Sequence, residues 1–170
     1  MNLELRSDDK AVIFKEVSDY LNSLSLRVVA QDFDRPWGGF FVIDEAQARQ
    51  FADHFFPGID PQSLSLGGKL SPKILLVQPS KRLSWQYHHH RAEIWKLVGG
   101  TAGVVTSETD QEGNVHELKT GEIVRLRQGQ RHRLVGLTRW GMIAEIWQHT
   151  DVNNPSDESD IVRLQDDFGR

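Results

Sequence analysis

Within the stretch Trp85 to Gly100, WQYHHHRAEIWKLVGG, Gln86, His88 and His90 stand at alternating positions ahead of Glu93, all with side chains that bind transition metals, while His89 has the opposite parity. In an extended segment, Gln86, His88 and His90 share one face, because side chains alternate along a strand. Imidazole, amide and carboxylate donors gathered in this way suit a divalent transition metal. Adjacent histidines also occur as surface residues or affinity-tag remnants. A tag stands at a terminus in a longer run, whereas this triplet lies mid-chain between apolar runs. The sequence contains no cysteine, which excludes disulfides, thiolate nucleophiles and Cys-based zinc sites. Any metal must then be held by His, Glu, Asp, Gln or backbone oxygens.

The whole chain is consistent with a small-molecule site. Its 170 residues, 38% hydrophobic and 26% charged, fit one globular domain with one core. No apolar run approaches the roughly 20 residues of a membrane span. The N-terminal MNLELRSDDK is too polar for a signal-peptide core, so a cytoplasmic location is expected. A net charge of -4, with acidic residues spread along the chain, gives no electrostatic footprint for nucleic acid. The expected partner is a small molecule, with neither nucleic acid nor membrane involved.

The elements that must position these donors follow from periodicity. From Ser7 to Leu24, Ile13, Val17, Tyr20 or Leu21 and Leu24 recur at helical spacing, with Asp8 and Asp9 at the helix start. Leu26 to Ala30 is β-prone, and the turn-rich DFDRPWGG carries Arg35 and Trp37 into a strand over Phe40 to Ile43. Glu45 to Phe56 reads as a helical insertion ending at Pro57-Gly58. Beyond it the period is two: Lys73–Val77, Arg82–His90, Ile94–Thr106, Val115–Leu118, Glu122–Leu126, His132–Val135 and Met142–Gln148, the last two separated by a turn at Arg139 to Gly141. Strands at this spacing predict an all-β antiparallel sandwich or small barrel. The tail from Asp151 to Asp160 is polar, but DIVRLQDDFGR after it is apolar enough to pack back onto the barrel.

A second cluster, Gly121, Gly129 and His132 with Gly136 after it, lies about a hairpin beyond the first. Together the two resemble the paired motifs of the cupin superfamily. Glu93 and Gly100 keep the first motif's final spacing; in the second, Arg127 stands where a proline is usual and Gly136 where an asparagine is usual. RPWGGFFVID, RLSWQYHHHRAEIW, QRHRLVG, AEIWQ and DIVRLQDDFGR narrow the likeness to the type II mannose-6-phosphate isomerase cupin, the C-terminal domain of bifunctional isomerase/GDP-mannose pyrophosphorylases. The resemblance covers nearly all of Arg35 to Arg170 except the helical insertion; Ile94, Trp147 and Phe168 depart from the pattern. It implies a cupin double-stranded β-helix, or jelly-roll barrel, without a nucleotidyltransferase domain. The expected organisation is an N-terminal helical extension over residues 1–30 and a barrel over 31–170, with its helical insertion near 45–70. A cupin homodimer through edge strands is the default assembly.

The same resemblance implies a ligand set and a reaction. Counting back from Glu93 gives Gln86, His88, Glu93 and His132; aligning on the histidines gives His88, His90, Glu93 and His132. The short turn between His90 and Glu93 favours the first set, leaving His90 as a substrate contact. Zinc suits the donors, with manganese, iron or nickel compatible. The implied chemistry is aldose-ketose isomerisation of a sugar phosphate, mannose 6-phosphate to fructose 6-phosphate, through a cis-enediolate. Glu145 and Lys73 are the candidate bases. Arg91 is the first choice for the phosphate, with Arg133, Arg35, Arg163 and Arg170 behind it, and Trp37 among the aromatics that suit a sugar face. The rival readings are a non-catalytic sugar-phosphate-binding cupin and a non-haem iron oxygenase.

Overall fold

The computed structural model describes residues 3–65 and 68–170. Three α-helices and the first two strands precede the strand Lys73–Val77 in the chain. Helix α1 (Lys10–Ser23) is capped by the Asp9 carboxylate, which accepts from the amides of Ala11 and Val12, an arrangement that stabilises a helix by about 1 kcal/mol. Strand β1 (Val28–Asp32) then pairs antiparallel with β2 (Gly38–Ile43). The expected insertion is a 3-10 turn at Glu45–Gln47, helix α2 (Ala48–Phe55) and the short α3 (Pro61–Leu64). The remaining strands are β3 (Lys73–Val77), β4 (Trp85–Tyr87), β5 (Arg91–Ser107), β6 (His116–Glu117), β7 (Ile123–Leu126), β8 (Arg131–His149) and β9 (Val162–Gln165).

Two long strands organise the barrel. The first half of β5 and the second half of β8 belong to one sheet, ordered β1-β2-β3-β8-β5-β7. Their other halves belong to a second sheet, ordered β9-β4-β8-β5-β6. The change of sheet occurs where the β5–β8 register shifts, around Leu97 to Ala102. Glycines permit it: Gly100 has φ 66, and a Cβ there would run into the Trp140 carbonyl. Gly136, at the motif position usually held by asparagine, lies against the Gln78 carbonyl with no room for a Cβ. The turn expected at Arg139 to Gly141 is instead an irregularity inside the continuous β8.

Alternation along the strands of the first sheet divides the core in two. Ile74, Leu76, Ile94, Met142, Ala144 and Ile146 face outward and are covered by Ile13, Phe14, Val17 and Leu21 of α1 and by Phe51 and Phe55 of α2. Leu75, Val77, Trp95, Leu97 and Ile143 face inward against Leu134 and Val104 of the second sheet. The sheet is therefore buried on both faces, which is why its strands read as near-continuous apolar runs. Helix α1 shares this core, and β1 runs across the expected boundary between residues 30 and 31, so the N-terminal segment is structurally part of the barrel unit. The C-terminal segment returns to the second sheet, where β9 pairs with β4.

Candidate functional site

The inward positions that are not apolar converge between the two sheets. Glu93 on β5 lies opposite Trp147 on β8, and Lys73 on β3 lies opposite Glu145 on β8, which in turn lies opposite Trp95 on β5. The second sheet places Gln86 of β4 directly opposite His132 of β8. His88 follows β4 by one residue. His88, Glu93 and His132 bring one ligand atom each to within 4.8 Å of one another, and all three are buried.

The tautomers follow from the backbone. His88 Nδ1 donates to the Asp160 carbonyl at 2.7 Å, and His132 Nδ1 donates to the Gln130 carbonyl at 3.0 Å. Both Nε2 lone pairs are thus turned inward, the orientation that metal-binding imidazoles need. His88 Nε2 stands 3.2 Å from Glu93 Oε1, and His132 Nε2 stands 3.6 Å from Glu93 Oε2. His132 Nε2 and Glu93 Oε2 are buried without a hydrogen-bond partner. Two acceptors facing each other with no proton between them repel, and a cation between them removes the conflict. Burial pushes His132 down to about 4 against the attraction of Glu93, so it is a neutral donor at neutral pH. Burial opposes the charge of Glu93, yet the Arg91 guanidinium holds its carboxyl well below the usual carboxylate range.

Gln86 is the fourth group at this point. Its Oε1 accepts from Ser84 Oγ at 2.6 Å and its Nε2 lies 3.3 Å from His88 Nε2. Exchanging the amide's oxygen and nitrogen brings an oxygen donor to the metal side, while Ser84 Oγ can accept as readily as it donates. His90 does not join them. Strand β4 ends at Tyr87 because the Asp160 carboxylate takes the amides of His89 and His90, both at 2.9 Å. The alternation that would align His90 with Gln86 and His88 is broken there. His90 lies beside Asn154 in a separate surface depression, with its ring 3.3 Å from the Asn154 amide nitrogen, and it does not line the cavity.

The wall opposite the two histidines is charged. Glu145 accepts from the indole N–H of Trp95 at 2.7 Å and from that of Trp147 at 2.9 Å, one on each oxygen. Burial first, and then the charge of Glu93, push Glu145 up to about 8. Lys73 Nζ pairs with Glu158 and sits 4.6 Å over the rings of both Phe40 and Trp147. Arg91 is 5% exposed and stacks 3.7 Å over Trp147. Its Nε donates to Glu93 at 2.8 Å, and its Nη1 to Ser156 Oγ at 2.7 Å and to the Asp157 carbonyl at 3.1 Å. Trp37, Lys73, Arg91, Glu93 and Glu145 all line one cavity with Gln86. Arg133, one residue past His132, points the opposite way, as alternation requires. It is fully buried and held by the Leu83 carbonyl, Glu112 and Gln165, so the structure removes it from the substrate-binding set expected from the sequence.

Four contributors escaped sequence reasoning: Ser156, Glu158 and Asp160 from the polar tail, and Trp95 as the partner of Glu145. The tail's DESD composition reads as a solvated run, and only the return of β9 indicates that it approaches the site.

The geometry agrees with the comparisons to known proteins. Residues 47–166 match the family model described as mannose-6-phosphate isomerase C-terminal. Among curated relatives, the alginate biosynthesis protein AlgA of Pseudomonas putida KT2440 is 34% identical over 133 residues, covering 76% of this chain and 26% of that protein. The mannose-1-phosphate guanylyltransferase of Escherichia coli K12 is 32% identical over 108 residues, 64% of this chain and 21% of that one. The chain thus spans about a quarter of the length of the curated relatives it matches. Solved structures with the same fold include the capsular polysaccharide assembling protein CapF from Staphylococcus aureus, with TM-score 0.51 and 18% identity over 80% of this chain and 34% of that chain. Hazelnut vicilin, with TM-score 0.53 and 13% identity over 82% of this chain and 36% of that chain, is another. The barrel is a cupin jelly roll.

Proposed function

The chain belongs to the mannose-6-phosphate isomerase C-terminal family, and from that premise we propose that it is a metal-dependent aldose-ketose isomerase interconverting mannose 6-phosphate and fructose 6-phosphate. The observation that carries the reading is the pair of buried, unpartnered acceptors, Glu93 Oε2 and His132 Nε2, facing each other 3.6 Å apart. His88, Glu93 and His132, with Gln86, are the residues that would hold the metal, and zinc suits their imidazole and oxygen donors. A bound divalent cation supplies Lewis-acid polarisation of the substrate oxygens at C1 and C2.

The rest is the work of the facing wall. Interconversion moves one proton from C2 to C1 and a second from the C2 hydroxyl to the C1 oxygen; the carbon-bound proton is taken up and returned by the same group, so that base must give and accept protons near neutral pH. Glu145, which burial and the charge of Glu93 push up to about 8 in the metal-free chain, is the buried carboxyl raised toward that range. Burial favours its acid form and the two indole N–H donors favour its carboxylate, leaving the group poised between them. Lys73, its cross-strand neighbour, sets an ammonium where the enediolate's negative charge develops. Arg91 is a positioning residue that fixes Glu93 and joins it to the tail.

A coupled assay for fructose 6-phosphate, run on protein reconstituted with zinc or manganese, tests the proposal. Turnover of mannose 6-phosphate that disappears with a chelator and returns with metal is the expected result. Metal-loaded protein that turns over no hexose phosphate would refute it.

A further inference from the structure

We infer that the anionic end of the ligand is received by Arg163, with Arg35 and Arg170 completing the rim, and that Arg91 takes no part in holding it. The inference deepens the sugar-phosphate reading above and rests on it in one respect, that the ligand carries a phosphate.

The first observation is that the deep cations of the cavity are already engaged. Two of the three nitrogens of Arg91 are held, Nε by Glu93 and Nη1 by Ser156 and the Asp157 carbonyl, while Nη2 lies 3.3 Å from His88 Nε2, the atom that would face the metal. A phosphate that recruited Arg91 would have to take it from Glu93, loosening a metal-binding carboxylate in the act of binding substrate. Lys73 has its side chain 6% exposed and is paired with Glu158.

The second observation is the placement of Arg163. On β9 it is the antiparallel register partner of Gln86. Directly opposed residues in such a pair project to the same face, so Arg163 projects to the side of the metal-binding amide. It lines the same cavity as Gln86, Glu93 and Glu145, and it is exposed. Among the described residues it has neither an ion-pair nor a hydrogen-bond partner.

Two further guanidiniums line this cavity from different segments. Arg35, in the turn between β1 and β2, stacks 5.5 Å over Phe40. Its Nε is buried without a hydrogen bond, with Asp32 at 3.0 Å as its one charged partner among the described residues. Arg170 binds Asp166 through Nε at 2.8 Å and Nη2 at 3.2 Å, which leaves Nη1 unused among the described residues. One unpaired and two half-neutralised guanidiniums at the mouth of a cavity suit a phosphate monoester dianion, because their planar forks match its oxygens. A neutral sugar would leave these charges without a counterpart. The ligand then lies with its reacting carbons toward Glu93 and Glu145 and its phosphate toward β9.

The test is direct binding, which does not depend on turnover. Inorganic phosphate, mannose 6-phosphate and mannose are titrated calorimetrically into chelator-treated and zinc-loaded protein, as wild type, Arg163→Met and Arg163→Lys. Arg163→Met should weaken both phosphate ligands by about tenfold to hundredfold, the effect of losing a charge-assisted contact. Zinc stoichiometry should not change, mannose should show no dependence on residue 163, and Arg163→Lys should restore part of the loss. Phosphate binding by Arg163→Met equal to wild type would overturn the inference. Should Arg163→Met fail to fold, Arg35→Gln and Arg170→Gln, on separate segments, report the same site, and unchanged phosphate affinity in both would equally overturn it. Arg163-dependent phosphate binding without turnover by the zinc-loaded wild type would uphold this inference while refuting the isomerase.

Discussion

The two sheets contribute opposite kinds of chemistry to one site between them. The wall built from β4 and the first half of β8 offers Gln86, His88 and His132, none of which is an anion. The wall built from β3, β5 and the second half of β8 offers Glu93, Glu145, Lys73 and Arg91, joined by the indoles of Trp95 and Trp147. Glu93 reaches across to both histidines, and Arg91, itself 3.3 Å from His88 Nε2, holds it. On the proposed reading, the neutral groups that would hold a cation and the carboxyl that would move a proton stand on different walls of one barrel. Lone pairs converge where nothing else satisfies them, and a carboxyl is poised where burial and donors oppose each other.

Substitutions should respect that division if it is correct. The largest effect is expected for His132→Ala, which removes a ligand from the neutral wall: metal occupancy by atomic absorption should fall to background and turnover with it. Glu145→Gln acts on the other wall. It should retain metal while kcat falls by about a hundredfold to ten-thousandfold, the range for losing a general base. Loss of metal in Glu145→Gln would show that the walls are not separate.

The same group sets a pH dependence for the metal-free protein. Burial raises Glu145 to about 8 in the folded chain, so its contribution to stability is complete below its unfolded value near 4.5 and is lost as pH rises through about 8. The wild type should therefore lose melting temperature between pH 5 and 8 relative to Glu145→Gln, as read by calorimetry on chelated samples.

Arg91→Met tests the crossing point. Freeing Glu93 should weaken metal binding by about tenfold to hundredfold, and leaving a buried carboxylate unpaired should cost about 3–5 kcal/mol of stability in chemical denaturation. The smallest effect is expected for His90→Ala, with metal content and affinity unchanged, whereas Gln86→Ala should lower metal affinity measurably. The reverse order would return His90 to the ligand set.

Much of this was legible in the residues, because period-two alternation and motif spacing are local properties. The strand Lys73–Val77 has the limits that its apolar run implies, and the inward parity of Lys73, Glu93 and Glu145 follows once the strands are assigned. His90 was not legible, because its departure from the Gln86 face depends on Asp160, seventy residues away, capturing two amides. Arg133 misled for the opposite reason: composition marks it as a free cation, and only the three partners that surround it show it to be engaged. The double burial of the first sheet was hidden as well, since an apolar run does not say what covers its second face.

The polar tail has a consequence in time as well as space. Asp160 orients His88, Ser156 and Asp157 hold Arg91, Glu158 meets Lys73, and Arg163 stands beside Gln86. All of these residues follow the last strand of the first sheet in the chain. During synthesis the barrel strands leave the ribosome before the segment that sets their imidazole and guanidinium in place. A barrel without the docked tail would lack these partners for His88, Arg91 and Lys73.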